Sequence, residues 1–113
     1  MNLPFSDAVL VGDTLYLSGR IGIDPELGRA PDDVDKEITL MLDGLRSALA
    51  LSDMTMDDLV YVQIFCSDLS LFDRFNAKYR TYFTGDLPAR AFLGSGTLLL
   101  GGRFEIQGIA VRR

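Results

Sequence analysis

The sequence predicts an α+β domain with two helices packed on one face of a mixed β-sheet. Three observations lead there. Two blocks of apolar residues recur at helical spacing, and β-branched or alternating runs surround them. The resulting order, ββαβαββ, belongs to an α+β domain. A third strand is apolar on both faces, so one side meets helices and the other meets further protein. With 113 residues the chain has room for one such domain, residues 1–113, and none for a second.

The opening apolar runs flank Gly12-Asp13, a Gly-first pair suited to a tight hairpin turn, which predicts strands near 7–11 and 14–19. Asp24-Pro25, Gly28 and Pro31 mark turn and loop. Val34, Ile38, Met41, Leu42, Leu45 and Leu49 then repeat at helical spacing. Asp33 is placed to cap, and Asp35 and Glu37 favour the positive end of the dipole, so a helix is expected at about 33–51. Thr55 with Asp58 three residues on resembles a capping pair for a short turn. Leu59 through Ser67 form a β-branched and aromatic strand. A second helix is expected at about 70–83, with Phe72, Phe75, Tyr79, Phe83 and also Asn76 on one face. Gly85-Asp86-Leu87-Pro88 stops it, and strands follow at about Ala89 to Gly94 and 103–111. Alternation puts Phe104, Ile106 and Ala110 on one face of the last strand, and Arg103, Glu105 and Gln107 on the other.

Composition narrows the function. Eleven basic residues against 16 acidic ones give a net charge of −5, a field that repels phosphate backbones and anionic lipid, so neither nucleic acid nor membrane is an expected partner. No stretch approaches the roughly 20 apolar residues of a membrane span, and the beginning of the sequence lacks the basic and apolar regions of an export signal; a cytoplasmic protein is expected. The single cysteine, Cys66, cannot close an intrachain disulfide and reads as a small buried hydrophobe. Histidine is absent, which removes the usual base of nucleophile sites and the commonest zinc ligand. No metal-ligand cluster is visible, and any chemistry rests on carboxylate, guanidinium, hydroxyl or backbone groups.

Two groups stand out as chemical candidates. Glu105 points away from the helix-covered core, either as part of a solvated strand face or as a working carboxylate. Arg90 follows a rigid Pro88-Ala89 entry and precedes Ala91 and Phe92. A guanidinium in that apolar setting calls for a counter-ion, a structural carboxylate or one belonging to a ligand. Ser18-Gly19 either ends a strand or offers amides to an anion. Asn76 is either a satisfied polar group in the helix–sheet seam or an orienting residue. The glycines near 94–96 and 101–102 match no phosphate-binding fingerprint.

Together these residues resemble the reactive intermediate/imine deaminase A family, also called the YjgF family. The resemblance rests on Pro4-Phe5-Ser6, on Val11 through Gly19, on Phe75-Asn76 with Tyr79 and Tyr82-Phe83, on Pro88-Ala89-Arg90, and on Phe104 through Ala110. It implies a chorismate-mutase-like subunit assembled as a homotrimer, with clefts between subunits. It implies that Arg90 clamps a substrate carboxylate, that Glu105 handles the attacking water, and that Ser18, Gly19 and Asn76 line the cleft with Phe5 and Phe92. The implied activity is hydrolysis of enamines and imines of the 2-aminoacrylate type, such as 2-iminopropanoate and 2-iminobutanoate, to 2-oxo acids and ammonia. Neither metal nor organic cofactor is implied, because orientation and proton transfer suffice for an imine that already hydrolyses in water.

The chain departs from the family pattern at four places. Phe5 stands where many members have tyrosine, Ala91-Phe92 replaces Ser or Thr followed by Cys or Val, Leu98 through Gly102 replaces a Leu-Pro turn, and Gln107 replaces a second glutamate. Arg90 and Glu105 are kept. Beside the small-imine deaminase, two other readings share the fold: a module that binds a 2-oxo acid without turnover, and a deaminase for a larger imine suggested by Phe5 and Phe92. A ribonuclease or translation inhibitor, as reported for some relatives, fits poorly with the charge and the missing histidine.

Overall fold

The computed structural model describes residues 3–113. Five strands, β1 (Ala8–Val11), β2 (Thr14–Arg20), β3 (Leu59–Cys66), β4 (Ala89–Gly94) and β5 (Phe104–Val111), form one sheet in the order β1-β2-β5-β3-β4. Only the β3–β4 pair is parallel, which makes the sheet mixed. Helices α1 (Val34–Ala50) and α2 (Phe72–Tyr79) pack on one face. The expected fold class and all five strands are therefore found, most within a residue of the expected bounds. The β1–β2 turn uses Gly12 at φ +59°, a conformation that glycine adopts without strain.

Burial explains the layering. Leu15, Leu17, Val62, Ile64, Ile106 and Ala110 turn one face of the sheet inward, where Ile38, Met41, Leu42, Leu45 and Leu49 of α1 meet them. Phe75 and Tyr79 of α2 stack at 5.5 Å, and Phe75 lies 5.1 Å from the Phe104 ring. Asp33 caps α1 by accepting from the amides of Asp35 and Lys36. Thr55 and Asp58 make the expected capping box, with the Thr55 amide donating to the Asp58 carboxylate at 2.9 Å.

Two expectations are corrected. The second helix is not continuous over 70–83: α2 covers Phe72–Tyr79, between 3-10 turns at Leu69–Leu71 and Arg80–Tyr82. Asp68 caps the first 3-10 turn, accepting from the Ser70 amide and hydroxyl, and the Thr81 hydroxyl donates to the Lys78 carbonyl at 2.6 Å, competing with the ladder at the exit. Arg103 does not share the outer face with Glu105. It precedes β5 and turns toward α1, where its Nε donates to Glu37 Oε1 at 2.6 Å.

Across the opposite face of the sheet run Val9, Tyr16, Tyr61, Gln63, Phe65, Gln107 and Ile109. No helix among the described residues covers them, and Val9 and Tyr16 are each 50% exposed. Tyr16, Tyr61, Phe65 and Ile109 give this open face a large apolar content.

Candidate active site

Arg90 sits on β4, the edge strand that pairs only with β3. Its register partner is Val62, a fully buried residue of the helix-covered face, so the guanidinium rises between the sheet and α2. There Arg90 Nη1 donates to Asn76 Oδ1 at 2.8 Å. The Phe72, Tyr79 and Phe92 rings surround the guanidinium at 5.7, 5.1 and 5.3 Å, each a cation–π distance. Arg90 takes part in none of the ion pairs among the described residues. The counter-ion that its apolar setting calls for is thus not one of the chain's own described carboxylates.

A cavity of about 190 Å³ opens beside it, lined by Asn76, Tyr79, Arg80, Leu87, Pro88 and Arg90. Burial pushes the Tyr79 hydroxyl up to about 12, against a smaller opposing effect of the Arg90 charge, so it stays protonated at neutral pH. The loop that delivers Pro88 is tied down by Asp57, whose carboxylate accepts from the Thr84 and Gly85 amides at 2.9 and 3.2 Å and from the Thr84 hydroxyl.

Glu105 belongs to a different surface. It pairs with Phe65 across β5 and β3, and its neighbours Phe104 and Ile106 are buried under the helices, so its carboxylate stands on the open face. Between Leu17 and Arg20 the β2–β5 register breaks, so that Ser18 and Gly19 together face Gln107. A Cβ on Gly19 would lie 2.6 Å from Glu105 Oε2, so the bare glycine lets the carboxylate fold down against β2. Ser18 donates from its hydroxyl to the Ser6 carbonyl at 2.5 Å and from its amide to Asp7, drawing the segment before β1 over the same place. The outcome is an open cleft of about 380 Å³ lined by Phe5, Ser18, Gly19, Leu99, Glu105 and Gln107.

Glu37 fixes the start of β5. Fully buried in α1, it accepts from the Arg103 amide at 2.6 Å, from the Phe104 amide at 3.3 Å and from the Arg103 guanidinium. Glu105 is the next residue along, so the strand leaves this anchor with its register set.

The residues singled out in the sequence thus fall into two groups. Arg90, Asn76 and Phe92 gather on the helix side of the edge strand; Phe5, Ser18, Gly19 and Glu105 gather on the open face beyond β3. One chain does not bring Arg90 and Glu105 together. Sequence reasoning missed Arg80, Leu87 and Leu99 as lining residues and saw Tyr79 only as part of an apolar face. Leu99 had a hidden signal in the Leu-Leu-Gly-Gly turn, where Leu100 adopts φ 55°. Cys66 lies apart from both groups: it is fully buried, donates to the Asp68 carbonyl at 3.1 Å, and burial raises its thiol above the ordinary value.

Comparison with known proteins places this geometry. The family model described as endoribonuclease L-PSP matches residues 2–112. The mouse protein named 2-iminobutanoate/2-iminopropanoate deaminase is 37% identical over 96% of this chain and 82% of its own length. Its Escherichia coli K12 namesake is 31% identical over 97% and 88%. Among solved structures, the YjgF gene product of E. coli superposes with a TM-score of 0.90 at 31% identity, over 97% of this chain and 89% of that one. E. coli TdcF with bound serine superposes at 0.92 and 26% identity, over 100% and 91%. The chain belongs to the endoribonuclease L-PSP family, the family of the YjgF and RidA proteins.

Proposed function

We propose that this protein is an enamine/imine deaminase that hydrolyses 2-aminoacrylate-type 2-imino acids, 2-iminopropanoate and 2-iminobutanoate, to 2-oxo acids and ammonia. The observation that carries this reading is Arg90: a guanidinium enclosed by three aromatic rings, oriented by Asn76 and without an ion-pair partner among the described residues. With Nη1 occupied by Asn76, the remaining N–H groups are free to take a carboxylate. Relatives named for this reaction, at 31–37% identity over nearly the whole chain, support it.

The chemistry needs a second group. With the carboxylate fixed, the adjacent C=N carbon is the electrophile. Glu105 orients a water and takes its proton as oxygen adds to that carbon; the proton then goes to nitrogen, and ammonia leaves as the C=O forms. Because Arg90 and Glu105 lie on opposite faces of one sheet, the complete site joins the Arg90 side of one copy to the Glu105 side of another. The uncovered sheet face supports a homotrimer as the assembly, with clefts at its interfaces and the single domain 1–113 as its subunit. Ser18 and Gly19 line the cleft from the Glu105 side, and Phe5 and Phe92 narrow it. No nucleic acid enters this account, in keeping with the charge of −5. Among the described residues no helix is long and apolar enough to cross a membrane. With its lone thiol buried and unbridged, a cytoplasmic setting suits the protein.

One observation favours a second reading. The Arg90 cavity is formed without Glu105, so it can hold a 2-oxo acid with no turnover, as a sensor would. The experiment couples a serine or threonine dehydratase to the purified protein and follows 2-oxo acid formation. Acceleration that Arg90→Ala abolishes supports the deaminase. No acceleration, with pyruvate binding that Glu105→Ala leaves intact, supports the sensor.

A further inference from the structure

We propose that the cavity beside Arg90 recognises a second carboxylate, so that the imines handled best are derived from dicarboxylic amino acids. This rests on Arg90 as the clamp for the first carboxylate. The cavity walls contain two guanidiniums, Arg80 and Arg90, and no carboxylate. In a chain with 16 acidic and 11 basic residues, acidic partners are abundant. Arg29, Lys36, Arg46, Arg74, Arg103 and Arg112 each have one. Arg80 and Arg90, like Arg20, Lys78 and Arg113, have none among the described residues, but Arg80 and Arg90 share the wall of one small cavity, where two unpaired guanidiniums concentrate positive potential.

The placement follows from the helix. Asn76, Tyr79 and Arg80 stand at i, i+3 and i+4 across the end of α2, so they share one side of it and face the Pro88-Arg90 segment. Arg90 is half-buried and held by Asn76, whereas Arg80 is exposed at the rim. A single-carboxylate imine engages Arg90 and leaves Arg80 to solvent. A short diacid reaches both. The Tyr79 hydroxyl, buried and without a hydrogen-bond partner among the described residues, adds a polar group to the same wall. At about 190 Å³ the cavity is smaller than the roughly 300–1,000 Å³ of drug-sized sites, which suits a short aliphatic acid and disfavours an aromatic one. The reaction is unchanged: water adds to the C=N carbon, ammonia leaves, and the product is a 2-oxo diacid.

The test generates imines from alanine, aspartate and glutamate with amino-acid oxidases and measures kcat/KM for their hydrolysis by the full-length protein. The wild type is expected to favour a diacid imine over the alanine-derived one by about ten-fold, through KM. Arg80→Gln is expected to erase that ratio and Arg80→Glu to invert it. Lys78→Gln removes the same charge two residues away, on another side of the helix and outside the cavity, and is expected to preserve it. A ratio insensitive to Arg80, or a preference for the alanine-derived imine, overturns the proposal. If no imine is hydrolysed, the deaminase reading fails separately, and calorimetry decides the cavity. There, 2-oxoglutarate or oxaloacetate binding about ten-fold tighter than pyruvate, with the difference lost in Arg80→Gln, supports the second carboxylate; equal affinities refute it.

Discussion

Arg90 and Asn76 form a side-chain hydrogen bond of 2.8 Å between the edge strand and the helix that covers it, and no carboxylate of the described residues pairs with the guanidinium. A neutral acceptor orients the guanidinium without neutralising it, which leaves its charge available to a ligand. Asn76→Asp tests this. A carboxylate at that position gives Arg90 an internal counter-ion, and KM for a small 2-imino acid is expected to rise by about 10–100-fold while the fold persists. Asn76→Ala, which loosens the guanidinium without competing for it, is expected to cost less. Steady-state kinetics of both variants provide the check.

Gly19 and Glu105 are matched sterically. A methyl group at residue 19 would stand 2.6 Å from Glu105 Oε2, so Gly19→Ala must push the carboxylate off β2. If Glu105 handles the water, the loss appears in kcat. Glu105→Gln is expected to lower kcat by about 10²–10⁴-fold, with Gly19→Ala falling between it and wild type. Thermal denaturation of Gly19→Ala close to that of wild type would confirm that the loss is local.

The anchor at Glu37 makes a stability prediction. Glu37→Ala removes the acceptor for two backbone amides and takes the counter-ion from the Arg103 guanidinium, which is 26% exposed in its side chain and keeps only the Pro31 and Asp32 carbonyls as acceptors. The expected loss is about 3 kcal/mol, at the lower end for a broken buried pair because Arg103 retains some water. Urea denaturation of Glu37→Ala and Glu37→Gln measures it, with the glutamine variant retaining part of the stability.

Acid sensitivity follows from depressed aspartates, among them Asp24 and Asp57 beside Asp35 and Asp68. Lys36 and the Glu26 amide hold Asp24 below the ordinary value of 3.8, and the Thr84 hydroxyl with the Thr84 and Gly85 amides does the same for Asp57. A carboxyl depressed in the folded state stabilises at pH above its unfolded value, and that stability is lost as pH falls through the folded one. Stability is therefore expected to be flat near neutrality and to fall below about pH 4. In Asp57→Asn the fall should be shallower, as unfolding free energy measured from pH 6 to pH 2 would show.

Much of this was legible in the sequence because the relevant signals are local. Strand alternation gave the outer face of Glu105, helical spacing put Asn76 on the Phe75 and Tyr79 face, and Asp33 marked the start of α1. What the sequence withheld is long-range. Nothing near Arg103 says that it will find Glu37, 66 residues away, instead of the open face it shares by alternation with Glu105. The placement of β5 between β2 and β3, which separates Arg90 from Glu105, depends on strand order rather than on any segment's own pattern. Arg80 reads as an ordinary exposed residue at a helix end until the Pro88 loop folds across from it.

The claim that the site spans two copies of the chain is tested most directly by mixing. Arg90→Ala and Glu105→Gln proteins, each inactive alone, are unfolded together in equal amounts, refolded and assayed. If each site draws Arg90 from one copy and Glu105 from another, random assembly restores both groups in about one quarter of the sites, and the mixture should recover about that share of wild-type activity. Mixed oligomers that form, as shown by differential tagging, yet remain as inactive as either parent would contradict the shared site.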